Sequence, residues 1–349
     1  MKCKKMAASF LTAAVTATVL CAVALSVQSC FLRNAEAQTV TENRLDSREN
    51  LPLGELFPAS PAGKPVVYMT TSITPAGLMA VYEALGLEAS GNVAVKISTG
   101  EPGNTHFLAP SLIKDLVQRV NGTIVECNTV YGGRRSNAAA HYQVARDHGF
   151  AAIAPVVIMD ERADISIPVA GGVHLKEDIV GARFNEFNFH IVLSHFKGHP
   201  MGGFGGALKN MSIGYASSSG KAWIHSGGRS RTSMRGGTQN DFLESMAEAA
   251  KAVADANRGK ILYINVMNHL SVDCDCSSRP AAPTMADIGI LASLDPVALD
   301  QACVDLVYAA RDSRDLKERI ESRNGLLILT HAERIGLGSK SYEMKRLAN

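Results

Sequence analysis

Aromatic side chains and excess charge are both scarce in this 349-residue sequence. It contains one Trp, and Phe, Trp and Tyr together make up 6% of the residues. The net charge is only +2, and Lys and Arg are dispersed along the chain. There are too few rings for a platform that stacks bases, and no basic stripe that could follow a phosphate backbone. We therefore expect no nucleic-acid partner.

Several common motifs are absent as well. The sequence has no G-x-S-x-G elbow and no H-E-x-x-H pair. Its Gly-rich stretch is not a P-loop, because the Lys that follows is not succeeded by Ser or Thr. Only four Cys lie beyond residue 37. So few cysteines in a chain of this length do not make a disulfide scaffold, although a single disulfide stays open.

The amino terminus resembles an export signal. Three Lys within the first five residues precede an uncharged, apolar run from residue 6 to residue 27, which is the pattern of a signal peptide. Residues 27–30 resemble a lipobox with Cys30 as the lipidated residue, residues 35–37 form an A-x-A cleavage site, and the run is also long enough for an uncleaved anchor. Residues 1–37 are thus predicted to direct export, either to the periplasm or as a lipoprotein that reaches the membrane only through its N-terminal lipid anchor.

The rest of the chain predicts one α/β domain. Residues 38–60 are polar and lack apolar periodicity, as in a flexible tether. Within residues 61–349, β-rich runs alternate with helical patterns, beginning with a strand at 65–71 and a helix capped by Thr74. Repeated βα units of this length imply a largely parallel or mixed sheet with helices on both faces, in one domain that could have two lobes.

A Gly-rich cluster follows the predicted strand at 190–195, and ligands bind at the carboxyl ends of strands in such sheets. Gly205 and Gly206 would let backbone amides approach a ligand. Lys197 and Lys209 would place positive charge beside them, and Asn210 is next in the chain. This combination favours an anionic ligand or a metal.

Histidines near the same cluster are candidate metal ligands. His195 and His199 would face one ion if their segment were helical, but a Gly and a Pro within it favour a loop. For His195, an equally good alternative is a strand-end side chain with a satisfied hydrogen bond. His225 follows the cluster and is a candidate general base or fourth ligand, so that His225 and Lys209 are the candidate catalytic residues.

A second cluster alternates carboxylates with thiols after a predicted strand at 260–266. In an extended backbone Cys274 and Cys276 project to one side, as two ligands of one metal ion or iron-sulfur cluster would. The neighbouring Asp273 and Asp275 would disfavour thiolates by like-charge repulsion, a conflict that a bound metal would remove. The alternatives are a disulfide that involves one of these cysteines and a plain loop.

A third cluster follows the predicted strand at 123–127. Cys127 could supply a third thiolate to the other two, and Arg134 and Arg135 suit the recognition of a carboxylate or a phosphate. Surface arginines that cap the next helix are the commoner case. Cys303 falls on the apolar face of a later predicted helix and is expected in the core.

Together these segments resemble the family called domain of unknown function 362. The resemblance extends over nearly all of residues 60–349 and rests on residues 96–104, 126–135, 194–210, 272–276 and 287–302. It implies a shared α/β scaffold with a metal or iron-sulfur site, but no known reaction. The chain departs from the iron-sulfur members because it lacks the C-x-x-C-x-x-C-x-x-x-C-P run of a bacterial ferredoxin. The family is in turn distantly similar to the nickel-pincer lactate racemases, where a Lys and several His hold a metal cofactor.

Three functions are open at this point. The first is an exported metal- or iron-sulfur-binding protein with a redox role and a redox partner, its site formed by Cys274, Cys276, His195, His199 and Cys127. The second is a metal-assisted isomerase or hydrolase that acts on a small carboxylate or another anionic substrate. The third is a non-catalytic exported anion-binding protein. Export favours a metal or a disulfide at the two neighbouring cysteines, because free thiols oxidise outside the cytoplasm.

Overall fold

The computed structural model describes residues 63–348, so the predicted signal peptide and tether lie outside the described residues. The strands are β1 Val66–Thr70, β2 Val93–Lys96, β3 Thr123–Glu126, β4 Val156–Ile158, β5 Asp164–Pro168, β6 Glu177–Gly181, β7 Phe189–His195, β8 Lys197–His199, β9 Gly203–Gly205, β10 Ile261–Met267, β11 Gly289–Ser293 and β12 Glu343–Arg346. The helices are α1 Pro75–Ala84, α2 Pro110–Arg119, α3 Ala138–Asp147, α4 Ala207–Lys209, α5 Ser218–His225, α6 Gln239–Ala256, α7 Pro296–Ala309, α8 Arg314–Ser322 and α9 Leu327–Arg334.

Eight of the strands form one sheet in the order β12-β1-β11-β10-β7-β2-β3-β4. The five strands from β10 to β4 in this order are parallel to one another. Strand β11 runs antiparallel to both of its neighbours, β1 and β10, whereas β12 is parallel to β1. The predicted α/β class with a largely parallel or mixed sheet is confirmed.

Helices cover both faces of this sheet because its strands alternate apolar side chains between two cores. Val93 and Val95 belong to the core that also contains Leu78 of α1 and Ile113 of α2. Ala94, between them, belongs to the second core, to which α6 and α7 contribute. The alternation of buried side chains on a strand thus produces helices on both faces, as expected. No helix in residues 63–348 combines the length and the apolar character needed to cross a bilayer.

Local capping sets several helix starts. The Thr74 hydroxyl accepts the backbone N–H of Gly77 at 3.1 Å, and Pro75 occupies the first turn of α1, as predicted. Strand β4 begins only at Val156, because residues 150–152 form a 3₁₀ helix. The segment of His195 and His199, expected to be a loop, is instead the end of β7 followed by the hairpin of β8 and β9. The chain then forms α4 and a π-helical turn.

Chain connections diverge at the centre of the sheet. From β2 the chain passes through α2 to its neighbour β3, whereas from β7 it continues to β10 on the opposite side. Because the connections that leave β2 and β7 run to opposite sides, a crevice opens at the carboxyl ends of these two adjacent parallel strands. Ligands bind at such a crevice in sheets of this type. Lys96 at the end of β2 and His195 at the end of β7 border this crevice.

Candidate functional site

A cavity of about 270 Å³ lies at the carboxyl ends of β2, β3 and β7. It brings the three sequence clusters together. Among the predicted site residues, those that line it are Cys127, His195, Lys197, His199, Gly205, Gly206, Lys209, Asn210, His225, Cys274 and Cys276. The exception is Arg134, whose half-exposed guanidinium pairs with Asp147 at 3.1 Å on the surface.

A potential metal-binding group lies on one wall of the cavity. One ligand atom each from His199, Cys274 and Cys276 lies within 4.8 Å of the others. The two sulfurs form a disulfide in this structure. The disulfide alternative therefore describes this state, and two thiolates would become available at the same place only after reduction.

Asp275, between the two cysteines, fixes their loop to the sheet. Its Oδ1 accepts Lys197 Nζ at 2.8 Å, and its Oδ2 accepts His195 Nδ1 at 3.1 Å. Burial alone would raise the pKa of Asp275, but His195 and Lys197 outweigh burial and lower it to about 2. Asp273 pairs with Arg319 at 3.3 Å. The repulsion expected between these carboxylates and the sulfurs is thus cancelled by cations.

His195 has no lone pair to offer a metal in this arrangement. Its Nδ1 faces the Asp275 carboxylate, and its Nε2 lies 2.7 Å from the backbone carbonyl of Asn268. Both partners accept hydrogen bonds, so each ring nitrogen must donate one. Of the two readings that the sequence allowed for His195, the strand-end side chain with satisfied hydrogen bonds describes the structure, and the metal ligand does not.

The other two histidines are held in opposite tautomers. His199 Nδ1 accepts the backbone N–H groups of Met201 at 3.2 Å and Gly202 at 2.8 Å, so in the neutral ring the proton is on Nε2. His225 Nδ1 donates to the Lys221 carbonyl at 2.6 Å, which leaves the lone pair on Nε2.

Both rings are neutral near pH 7. Burial, followed by the neighbouring Lys209 and His225, holds the pKa of His199 well below its usual range. Burial lowers the pKa of His225 to about 4. Metal-binding histidines normally donate their second N–H to a carbonyl or carboxylate, as His225 does. His199 would have to release its two amide hydrogen bonds before its Nε2 could bind a metal.

A buried ion network, not foreseen from the sequence, forms the cavity floor. Lys96 Nζ donates to Glu126 at 2.7 Å, and Arg135 binds Glu101 at 2.8 Å and Glu126 at 3.3 Å. Burial would raise the pKa of Glu126, but Lys96 and Arg135 lower it to about 2. The position of Glu126 at the end of a buried strand was the available signal, because a carboxylate there needs a cationic partner.

Asn210 links strands β2 and β7 through hydrogen bonds of its side-chain amide. Its Nδ2 donates to the Lys96 carbonyl at 3.0 Å and to Ser194 Oγ at 3.1 Å, and its Oδ1 accepts Lys96 Nζ at 3.2 Å. It was predicted to bind a ligand. In this structure its amide instead holds the carboxyl ends of β2 and β7 together.

The two predicted ligand-binding glycines make room for other side chains. A Cβ on Gly206 would lie 2.3 Å from Asp300 Oδ1, and a Cβ on Gly205 would lie 2.9 Å from Cδ of Lys209. Asp300 accepts the backbone N–H groups of Ala207 at 2.8 Å and Leu208 at 2.9 Å, which fixes the start of α4. The glycines therefore position the helix that carries Lys209.

Two lysines on the cavity wall have no ion-pair partner in residues 63–348. Lys221 Nζ donates only to the Ala216 carbonyl, at 2.5 Å. For Lys209 Nζ the described part of the chain provides no hydrogen-bond partner at all. Burial, followed by the charge of Lys96, lowers the pKa of Lys209 to about 8. Lys221 was missed from the sequence, although it lies one helical turn before His225.

The remaining cysteines stand apart from the disulfide pair. Cys127 lines the cavity, but its Sγ donates to the Tyr215 carbonyl at 3.2 Å, and it does not belong to the group formed with His199. Burial raises the pKa of Cys127 far above its usual value. Cys303 is fully buried in the core of α7, as expected.

Comparison with known proteins supports the family resemblance. The profile of the family described as Domain of unknown function (DUF362) matches residues 93–305. No curated protein matches the chain.

Among solved structures, the lactate racemase apoprotein from Thermoanaerobacterium thermosaccharolyticum shares 14% identity with a TM-score of 0.38, over 62% of this chain and 52% of that one. A structural-genomics crystal structure of a protein from Thermotoga maritima shares 14% identity with a TM-score of 0.36, over 60% of this chain and 53% of that one. The chain thus spans about half the length of each.

Proposed function

The chain belongs to the DUF362 family, whose function is unknown, and we propose from its own cavity that it is a metal-binding protein whose site forms when the Cys274–Cys276 disulfide is reduced. One observation carries this proposal: His199, Cys274 and Cys276 bring donor atoms within 4.8 Å of one another. Two sulfur atoms and an imidazole are a donor set typical of protein metal sites.

Redox state would control this site. Reduction adds two electrons and two protons to the disulfide, and an external dithiol that supplies them becomes a disulfide itself. The metal ion then displaces the two thiol protons. Lys209 and Lys221 line the same cavity, and their positive charge would favour the thiolate forms electrostatically. The disulfide is therefore the metal-free form and the dithiol is the metal-binding form.

The donor set fits a single ion better than an iron-sulfur cluster. A [2Fe–2S] or [4Fe–4S] cluster is usually held by four thiolates. The described residues bring two sulfurs together, whereas Cys127 stands apart and Cys303 lies in the core. Thiolate with imidazole suits zinc, iron, nickel or copper. His225 carries a lone pair on Nε2, but like Cys127 it does not belong to the group formed by His199, Cys274 and Cys276, so the remaining ligand positions are left to water or a bound anion.

We also propose that the protein is exported, on the pattern of residues 1–37, which lie outside the described residues. An oxidising compartment would favour the disulfide. Metal binding would then depend on a redox partner that delivers reducing equivalents to Cys274 and Cys276. The proposed function is redox-related because the oxidation state of these two cysteines would control metal binding.

Metal loading of the full chain tests the proposal. The protein is reduced under argon, incubated with zinc, desalted and analysed for metal. We expect one zinc ion per chain in the reduced protein and almost none in the disulfide form. A chain with both Cys274→Ser and Cys276→Ser should bind none, whereas Cys127→Ser is the matched control. Equal zinc content in the reduced wild type and the double variant, with both folded by circular dichroism, would contradict the proposal.

A metal-assisted isomerase or hydrolase is the second candidate, and one observation favours it. His225 is neutral, with the lone pair on Nε2, in the same cavity as the cationic Lys209. A base beside a cation suits proton removal from a small anionic substrate. The zinc-loaded protein in deuterated water should incorporate deuterium into a member of a panel of small carboxylates, and His225→Gln should abolish this exchange. No exchange with any member would rule out the isomerase.

A further inference from the structure

Positive side chains outnumber carboxylates around the cavity. The cationic residues in its lining are Lys96, Lys197, Lys209, Lys221 and Arg135, and the carboxylates are Glu126 and Asp275. The existing ion pairs use both carboxylates: Glu126 pairs with Lys96 and Arg135, and Asp275 pairs with Lys197 and His195. Arg135 also pairs with Glu101, which lies behind the lining. Lys209 and Lys221 are left without a negative partner in residues 63–348.

Removing these two ammonium groups from water costs free energy, since Lys221 is buried and Lys209 is partly buried. An ionised amine taken out of water without an anion loses its hydration and gains little in return. Lys221 is only 6% exposed. Burial lowers the pKa of Lys209 to about 8, which still leaves its amine mostly protonated at neutral pH. The two charges repel each other as well, since Lys221 contributes to lowering the pKa of Lys209. An anion between them would relieve both the desolvation and the repulsion.

We infer that the cavity binds a small organic dianion, with its negative groups at Lys209 and Lys221. Two negative charges would match the two lysines, because neither has a carboxylate within ion-pair distance in residues 63–348. His199 adds a neutral donor, since its proton is on Nε2. The inference goes beyond the proposed metal binding and does not depend on it, because neither lysine belongs to the metal-binding group.

Size and lining narrow the class of ligand. A cavity of about 270 Å³ is at the lower end of small-molecule sites. Apolar side chains form part of its wall, namely Val130, Met201, Ile213 and Met234. An inorganic ion would leave these side chains facing water, whereas a short carbon chain would cover them. The lining therefore favours a short dicarboxylate over free phosphate.

Calorimetry on the disulfide form, with a chelator present, tests the inference independently of the metal. The probes are succinate, malonate, inorganic phosphate and acetate. We expect one succinate or malonate per chain, bound about tenfold or more tightly than acetate, because a charge-assisted hydrogen bond to a second ammonium group contributes about that factor. Phosphate should bind more weakly than the dicarboxylates. If acetate binds as well as succinate, or if phosphate binds best, the inference is overturned.

Variants of the two lysines test the inference through two measurements, succinate affinity, which should fall, and the unfolding midpoint without ligand, which should not fall. Lys209→Gln should weaken succinate binding about tenfold or more. The same change should leave the unfolding midpoint without ligand unchanged or higher, because it removes a partly buried charge that has no ion-pair partner. Lys221→Gln should act in the same direction, and Lys114→Gln, on an exposed helix position, is the matched control. Full succinate affinity in both cavity variants would contradict the inference, whatever the outcome of the metal experiments.

Discussion

Replacing Asp275 with Asn removes the charge that holds the cysteine loop to the sheet. The Asp275 side chain is 5% exposed and contacts Lys197 at 2.8 Å and His195 at 3.1 Å. The amide would keep the shape of the side chain but not its charge. Lys197 would then be buried beside a neutral group, with only the His106 carbonyl as a further acceptor, at 2.8 Å.

Two arguments give the size of the expected loss of stability, one from the pKa of Asp275 and one from the buried ion pair. A pKa lowered from 3.8 to about 2 corresponds to roughly 2 kcal/mol of native-state stabilisation at neutral pH. Removing one partner of a buried ion pair costs about 3–5 kcal/mol, because the remaining charge stays buried. We therefore expect Asp275→Asn to lower the free energy of unfolding by about 2–5 kcal/mol. Since the folded pKa is depressed, this contribution is complete above the unfolded pKa and is lost as the pH falls through about 2.

Urea denaturation at neutral and at acid pH measures the effect. Asp273→Asn is the matched control, because Asp273 lies two residues away in the same loop but its ion pair with Arg319 is about one quarter exposed. Its cost should be about 1 kcal/mol or less. The difference between wild type and Asp275→Asn should shrink in acid. Equal, small losses for the two variants at neutral pH would refute the argument that Asp275 is the anchor.

Three further predictions concern the same cavity. Succinate affinity should fall as the pH rises through about 8, where Lys209 loses its proton. The charged groups that act on Lys209 are those of Lys96, Asp275, Arg135 and Lys221. Calorimetry across neutral to alkaline pH checks this prediction, and an affinity that does not change with pH would contradict it. Arg134→Ala should change the free energy of unfolding by about 1 kcal/mol or less, whereas Arg135→Ala should lower it by about 3–5 kcal/mol, as urea denaturation would measure. Cys127→Ser should leave the zinc content of the reduced protein unchanged, as elemental analysis would measure. The Cys127 Sγ donates a hydrogen bond to the Tyr215 carbonyl, and a Ser hydroxyl can donate the same hydrogen bond. Loss of the zinc ion in this variant would show that Cys127 is a ligand.

The general position of the site could be predicted from the sequence because it follows from sheet geometry. Parallel strands bring their carboxyl ends to one edge, so the residues after β3, β7 and β10 had to lie near one another. Cys127, His195 and Cys274 meet at one cavity for this reason. Helix starts were equally local, as the cap of Thr74 shows.

The roles of individual side chains could not be predicted, because their partners are distant in sequence. His195 and Asp275 are 80 positions apart, and no local signal shows that their contact occupies one nitrogen of the histidine. Gly206 was expected to approach a ligand, but it makes room for Asp300, which binds the neighbouring backbone 93 positions away. Such pairings depend on tertiary packing, which periodicity does not encode.

X-ray absorption at the zinc edge of the reduced, zinc-loaded protein tests the central claim most directly. The account predicts two sulfur ligands at about 2.3 Å, from Cys274 and Cys276, with the other ligands being nitrogen or oxygen at about 2.0–2.1 Å. The sulfur contribution should disappear in the chain with both Cys274→Ser and Cys276→Ser. A zinc ion surrounded only by nitrogen and oxygen in the reduced wild type would contradict the account.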